Sequence, residues 1–176
     1  MTGHFFNKIL AIIAISFFVA IPFSGNAEGE GTPEKELGLE NVVLTHYALG
    51  GDTTGLKPGG EAVYLAKGTP KDALITLKQI VLEGRRPVWS FKMKDQVNII
   101  VFRGVFLKFN KISIKKVLLK DSSVEIYAEY KDFPGSDIPS QPAAIIPVGK
   151  LLPGKYTAIL FVDNNLQKKA DFKVSR

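Results

Sequence analysis

The sequence predicts a mainly β protein, an antiparallel, sandwich-like domain with at most one short helix, behind an N-terminal export signal. Three observations carry this. Val124, Ile126, Ala128 and Tyr130 alternate with Glu125, Tyr127, Glu129 and Lys131. That is the period of two of a strand with one buried and one wet face. Residues 96–102, QVNIIVF, are apolar through their centre, as expected of a strand covered on both sides. Finally, clusters of turn formers bound the apolar runs, among them Asp121-Ser122-Ser123, Leu152-Pro153-Gly154-Lys155 and Asp163-Asn164-Asn165.

In chain order, Lys8 precedes an apolar run from Ile9 to Ile21 that Pro22 ends, and Gly25 and Ala27 supply small residues before a cleavage point. This is the order of a secretory signal, so residues 1–27 are expected to be removed and the chain exported to a periplasm, cell surface or medium. The alternative is a retained anchor, but a span needs about 20 apolar residues and this run is shorter. No other run reaches that length, so no membrane contact is expected after cleavage. Residues 28–40, rich in Glu and Gly, read as a flexible acidic leader. Residues 41–176 read as a single β-rich domain.

Within that domain, residues 41–48 turn apolar and β-branched and predict a first strand. Residues 50–60 are nearly all turn formers, and Gly50, Gly51, Gly59 and Gly60 make the loop a candidate binding element. A short strand over 61–66 follows. Thr69-Pro70 has the form of a helix N-cap and first helical residue. Ala73, Leu74, Leu77, Ile80 and Val81 then recur at helical spacing, although the β-branched content leaves a strand open. From Val88 onward strands are expected throughout: 88–91, 96–102, 109–119, 124–131, a short apolar segment at 142–148, and a closing hairpin of 156–162 with 166–174. Asn tolerates positive φ, which suits a two-residue loop in that hairpin.

Charge is unevenly spread. The formal net charge is +6, Lys8 being the one charged side chain in the signal; residues 28–40 carry −4 and the chain from Asn41 carries +9. Lys111 and Lys115 share one side of their strand by the two-residue rule, with the small Ser113 between them. These three residues are the candidate interaction stripe, flanked by Lys108, Lys116 and Lys120. A protein partner is the expectation for such a surface outside the cell, and no nucleic-acid motif is present. The plainer account is that lysines keep strand faces wet and block edge pairing. Glu125 and Glu129 are expected to pair with some of them across the hairpin.

Catalytic sets are absent. The chain has no cysteine and, past the signal, one histidine, His46. No cysteine nucleophile is available, His46 has no Asp or Glu near it in sequence and is expected to be a packed or surface histidine, and one histidine falls short of a zinc ligand set. A small hydrolase with a paired-carboxylate site is the third and weakest reading. No phosphate cradle or spaced calcium ligands occur. No enzyme activity, metal or cofactor is expected. Trp89, Tyr47, Tyr64, Tyr127 and Tyr130 are the aromatics able to stack on a sugar or peptide, if exposed.

Two local patterns resemble known proteins. Val97–Gly104, then Ile112-Ser113-Ile114-Lys115-Lys116-Val117, then Phe133-Pro134-Gly135, followed by Gln141 and Pro147, resemble the C-terminal domain of PrcB-like proteins. The departure is at 105–110, where Val-Phe-Leu-Lys-Phe-Asn replaces that family's Gly-Gly-Tyr turn. The resemblance covers about 50 residues and implies a non-catalytic partner that stabilises a secreted protease or similar complex. Leu151-Leu152-Pro153-Gly154-Lys155-Tyr156 looks like the entry to the closing hairpin of bacterial immunoglobulin-like sandwiches. The expected function is an exported, non-enzymatic interaction module; the alternative is a carbohydrate- or cell-wall-binding β-sandwich.

Overall fold

Strong strand formers and one capped helix assort into two sheets and a covering helix. The computed structural model describes residues 34–50 and 60–176. The expected signal, its cleavage point, the start of the leader, Gly51 and Gly59 lie outside the described residues. The strands are β1 Lys35–Glu36, β2 Val43–Thr45, β3 Ala62–Lys67, β4 Ser90–Lys92, β5 Val97–Phe102, β6 Asn110–Lys120, β7 Ser123–Asp132, β8 Ala143–Gly149, β9 Gly154–Val162 and β10 Asn165–Ser175. A 3-10 turn, Leu39–Asn41, precedes β2, and the helix α1, Pro70–Glu83, follows β3. The larger sheet runs β1-β6-β7-β9-β10-β4 and the smaller β2-β8-β5-β3.

The predicted doubly buried strand is β5, all six residues of which are buried. Its alternation explains why. Val97, Ile99 and Val101 point into the core between the sheets, among Ile126, Leu160 and Phe172. Ile100 and Phe102 point the other way, into a second core with Ala73 and Leu77 of α1. Asn98, also buried, donates from Nδ2 to the Gly68 carbonyl at 2.7 Å.

Helix α1 starts where Thr69 and Pro70 predict. The Thr69 side chain accepts from the Asp72 backbone N–H and Asp72 returns a bond to Thr69, a full capping box. Gly84 ends the helix at φ 67°, a left-handed position that suits glycine. Helical spacing prevails over β-branching because one stripe, Ala73, Leu74, Leu77 and Val81, meets the smaller sheet.

Three features depart from the expectations. First, two of the pairings are parallel, β7 with β9 and β10 with β4. The chain leaves the larger sheet after β7, adds β8 to the smaller one and returns as β9, so β9 runs in the same direction as β7. Second, the predicted flexible leader does not extend through residues 34–40. Lys35 and Glu36 pair with Leu119 and Leu118, Leu37 N–H donates to the Val117 carbonyl at 2.9 Å, and Leu37, Leu39 and Val42 pack on the core. The segment thus laces the side of the sandwich, β1 on one sheet and β2 on the other. Apolar residues at 37, 39 and 42 prevail over the surrounding Glu and Gly. Third, the strand expected over 41–48 is continuous only at Val43–Thr45, beyond which Tyr47 makes an isolated bridge to Gln141.

The closing hairpin turns at Asp163 and Asn164, with φ 49° and 64°. Both central residues are left-handed, as a two-residue turn matched to strand twist requires.

Candidate functional site

One end of the sandwich gathers the loops. Thr45, Ala143, Phe102 and Ala62 align there in the smaller sheet, and Asn110 lies opposite Asp132 in the larger. Ser140 ties the loops together. It is fully buried; its hydroxyl accepts from the Asn110 N–H and donates to the Lys108 carbonyl, both at 2.9 Å. Its backbone exchanges bonds with Phe106, and the next residue, Gln141, donates to the His46 carbonyl at 2.7 Å.

A second anchor is Arg103, 9% exposed. Its guanidinium donates to the carbonyls of Lys111 at 3.2 Å and Lys131 at 3.4 Å and bonds the Asp132 carboxylate. It lies 4.4 Å from the Tyr130 ring centroid and 4.9 Å from that of Phe106. The Tyr130 hydroxyl donates to Glu61 at 3.0 Å, and burial, then the Glu61 charge, push its pKa far above the usual range. Tyr130 is therefore a neutral donor, held by its carboxylate.

Above these anchors opens a groove of about 780 Å³ whose walls include Phe106, Leu107, Lys108, Asn110, Phe133 and Pro134. Leu107 is 70% exposed. Asn110 is buried, and its Nδ2 donates to the Lys108 carbonyl at 3.1 Å, which leaves Oδ1 as the free acceptor. That Oδ1, Gln141 Oε1 and His46 Nδ1 have no hydrogen-bond partner among the described residues. Buried polar atoms are nearly always partnered, so these three, sealed from solvent, are unusual. His46 packs on Phe109 with centroids 5.0 Å apart; burial, then Lys111, hold its pKa below the ordinary value.

The predicted stripe is resolved into unlike parts. Lys111 sits directly opposite Lys131 and Ser113 opposite Glu129. A register shift follows: Ile114 faces Ala128 and Lys116 faces Tyr127, so Lys115 is the bulged residue. Lys115 pairs with Glu129 at 2.8 Å, and Lys120 bridges Glu125 at 3.1 Å and Glu34 at 3.4 Å. Lys111 and Lys131 have no carboxylate partner among the described residues. Their ammonium groups lie 5.3 and 5.7 Å from the centroid of one ring, Phe133, which also lines the groove. Like charges directly opposite on a sheet are unfavourable. Of the candidate loop, Gly50 and Gly60 adopt φ 90° and 89°, accessible to glycine with little strain.

Arg103, Phe106, Leu107, Asn110, Lys131, Phe133 and Ser140 are additions that sequence reasoning missed as site residues. The one available signal was the apolar-basic run at 105–110, where the PrcB-like pattern breaks.

The exposed aromatics do not form one strip. Tyr47, 49% exposed, bridges to Gln141 at the loop end, whereas Trp89, 44% exposed, shares a shallow depression with Ser122 and Lys155 near the opposite end. Tyr64 and Tyr130 pack against the cores, and Tyr127 stacks on Phe161 at 5.0 Å. Among the described residues no helix is long and apolar enough to cross a membrane, and no group of three His, Cys, Asp or Glu could hold a metal. No protein-family model, no curated protein and no solved structure matches this chain.

Proposed function

We propose that this chain is an exported, non-catalytic module that binds another protein through the groove at the loop end of the sandwich. The observation that carries the reading is the groove itself: exposed Leu107 beside Phe106, Phe133 and Pro134, on a base made rigid by Arg103 and Ser140. Apolar side chains presented on a fixed base are what a docking site needs, since little ordering is left to be done on binding. The resemblance to PrcB-like domains points the same way, toward stabilising a protease or another envelope complex. The break in that resemblance at 105–110 coincides with the groove, where this chain would differ in partner.

The test is co-isolation from the exported fraction with wild type and with Leu107→Asp, a substitution at an exposed position that leaves the fold unburdened. A protein retained by wild type and lost with Leu107→Asp supports the reading. A partner retained equally by both moves the interface elsewhere. Export is tested separately: mass spectrometry should find the amino terminus at Glu28, and a form keeping Ile9 to Ile21 would mean a membrane anchor instead.

A second reading, carbohydrate binding, draws on exposed Trp89 beside Thr157 and Asp171. It is the weaker, because the neighbouring Tyr156 is occupied: its ring stacks on Phe172 at 5.4 Å and its hydroxyl donates to the Leu152 carbonyl. One ring makes a poor platform. Loss of polysaccharide retention in Trp89→Ala would favour it.

A further inference from the structure

We infer that the occupant of the groove is a peptide segment of the partner, carrying an apolar side chain flanked by Asp or Glu. This rests on the protein-binding reading and names the chemistry of its ligand.

Two observations fit together. The groove is apolar where Leu107, Phe106 and Phe133 line it, and takes an aliphatic or aromatic side chain. Its rim is cationic. Lys108 lines it, and Lys111 and Lys131 converge on the Phe133 ring without a carboxylate among the described residues. The one acid in the wall, Asp132, is held by Arg103, so it does not neutralise the lysines. Two like charges set opposite each other cost stability, and a carboxylate brought between them by a ligand removes that cost. A polysaccharide or polyphosphate would meet the lysines, but neither brings an apolar side chain for Leu107, Phe106 and Phe133.

Lys115 supplies the internal control. It is on the same strand and exposed, but its charge is already taken by Glu129 at 2.8 Å. Charge reversal at Lys111 and Lys131 should therefore weaken binding, whereas reversal at Lys115 should not.

The experiment measures binding of fluorescein-labelled, end-blocked octapeptides to the described domain within the full chain, by anisotropy. Three sets are compared, each with a central Phe, Leu or Trp: flanked by Asp/Glu, by Lys/Arg, or by Ser/Gly. A fourth set keeps the acidic flanks and replaces the central residue with Ser. Members of the acidic-apolar set should bind, and lose about tenfold or more in affinity in Lys111→Glu/Lys131→Glu and in Leu107→Asp. Lys115→Glu should bind as wild type does. Affinity should fall as salt rises past about 0.15 M, where screening acts within about 8 Å. Thermal melting of each variant separates lost binding from lost folding, and Lys111→Gln/Lys131→Gln offers a milder pair if reversal destabilises.

Equal binding of the Ser/Gly set would overturn the acidic class while leaving a peptide-binding module standing. Equal binding of the acid-flanked Ser set would remove the apolar anchor, as would dextran sulfate competing with the same dependence on Lys111 and Lys131. No binding by any set overturns the inference, and the co-isolation with Leu107→Asp then judges the protein-binding reading by itself.

Discussion

Replacing Arg103 with methionine tests whether the loop end is held by one buried cation. Methionine keeps most of the stem volume and removes the guanidinium. Hydrogen bonds to a charged group are each worth about 1.5–3 kcal/mol at good geometry. Those from Arg103 to the Lys111 and Lys131 carbonyls, at 3.2 and 3.4 Å, are long and belong at the low end. Stacking on Tyr130 and Phe106 adds about 0.5–2 kcal/mol. The pair with Asp132 adds little, about 0–1 kcal/mol, because that carboxylate side chain is 72% exposed. Desolvation of the guanidinium offsets part of the total. A net loss of about 2–3 kcal/mol follows for Arg103→Met, or about 5–10 °C in Tm for a domain of this size. Asp132→Asn should lose less than about 1 kcal/mol. Arg103→Lys should fall between them, since an ammonium keeps the charge but cannot span the fork. Urea and thermal unfolding of the three variants read this directly. If Arg103→Met cost less than about 0.5 kcal/mol, or Asp132→Asn cost as much as Arg103→Met, the reasoning about which contacts hold this end would be wrong.

Thr69→Ala removes the capping hydroxyl of α1 and should lower unfolding free energy by about 1 kcal/mol in urea titrations. Starting the chain at residue 43 removes the packing of Leu37, Leu39 and Val42 on the core, and should cost about 1–3 kcal/mol relative to a chain starting at residue 34. His46 titrates below its ordinary 6.5 because burial and then Lys111 disfavour the imidazolium. A base depressed in this way contributes fully above the unfolded value; as pH falls through 6.5 the unfolded chain takes up the proton first, and stability drops toward the folded value. His46→Phe should therefore flatten the decline of the urea midpoint between pH 7 and pH 5, and an unchanged decline would remove His46 as its source.

The fold was legible where one local rule decides. Helical spacing plus the Thr69-Pro70 start is enough for α1, and the apolar run at 96–102 is enough for a strand between two layers. Strand direction was not legible, because period-two alternation is identical in parallel and antiparallel strands. The parallel seam of β7 and β9 comes from the route through β8 in the other sheet. The site was half legible for a similar reason. Lys111 reads as a cation on a wet face, but its placement opposite Lys131 depends on a register that shifts at Lys115. Sequence adjacency made Glu129 a partner for any of several lysines, and the bulge assigns it to Lys115. Asn110 and Ser140 carry no periodic pattern of their own; their roles arise only when two loops close over one another.

That parallel seam also makes the pairings of the larger sheet distant in sequence. Ser123 meets Thr157 across the intervening β8, and β4 has its neighbour only once Lys173, Val174 and Ser175 lie beside Ser90, Phe91 and Lys92. Until β9 and β10 are in place, Val124 and Ile126 of the β6–β7 ribbon and Ile99 and Val101 of the smaller sheet lack Leu160 and Phe172 as core neighbours. Such long-range pairings fold slowly, because loop closure comes before the contacts that reward it. A nascent chain halted before Ser175 would therefore be a poor substrate for stepwise folding and a good one for a holding chaperone. The domain should gain protease resistance in a single late step, as its closing strand docks.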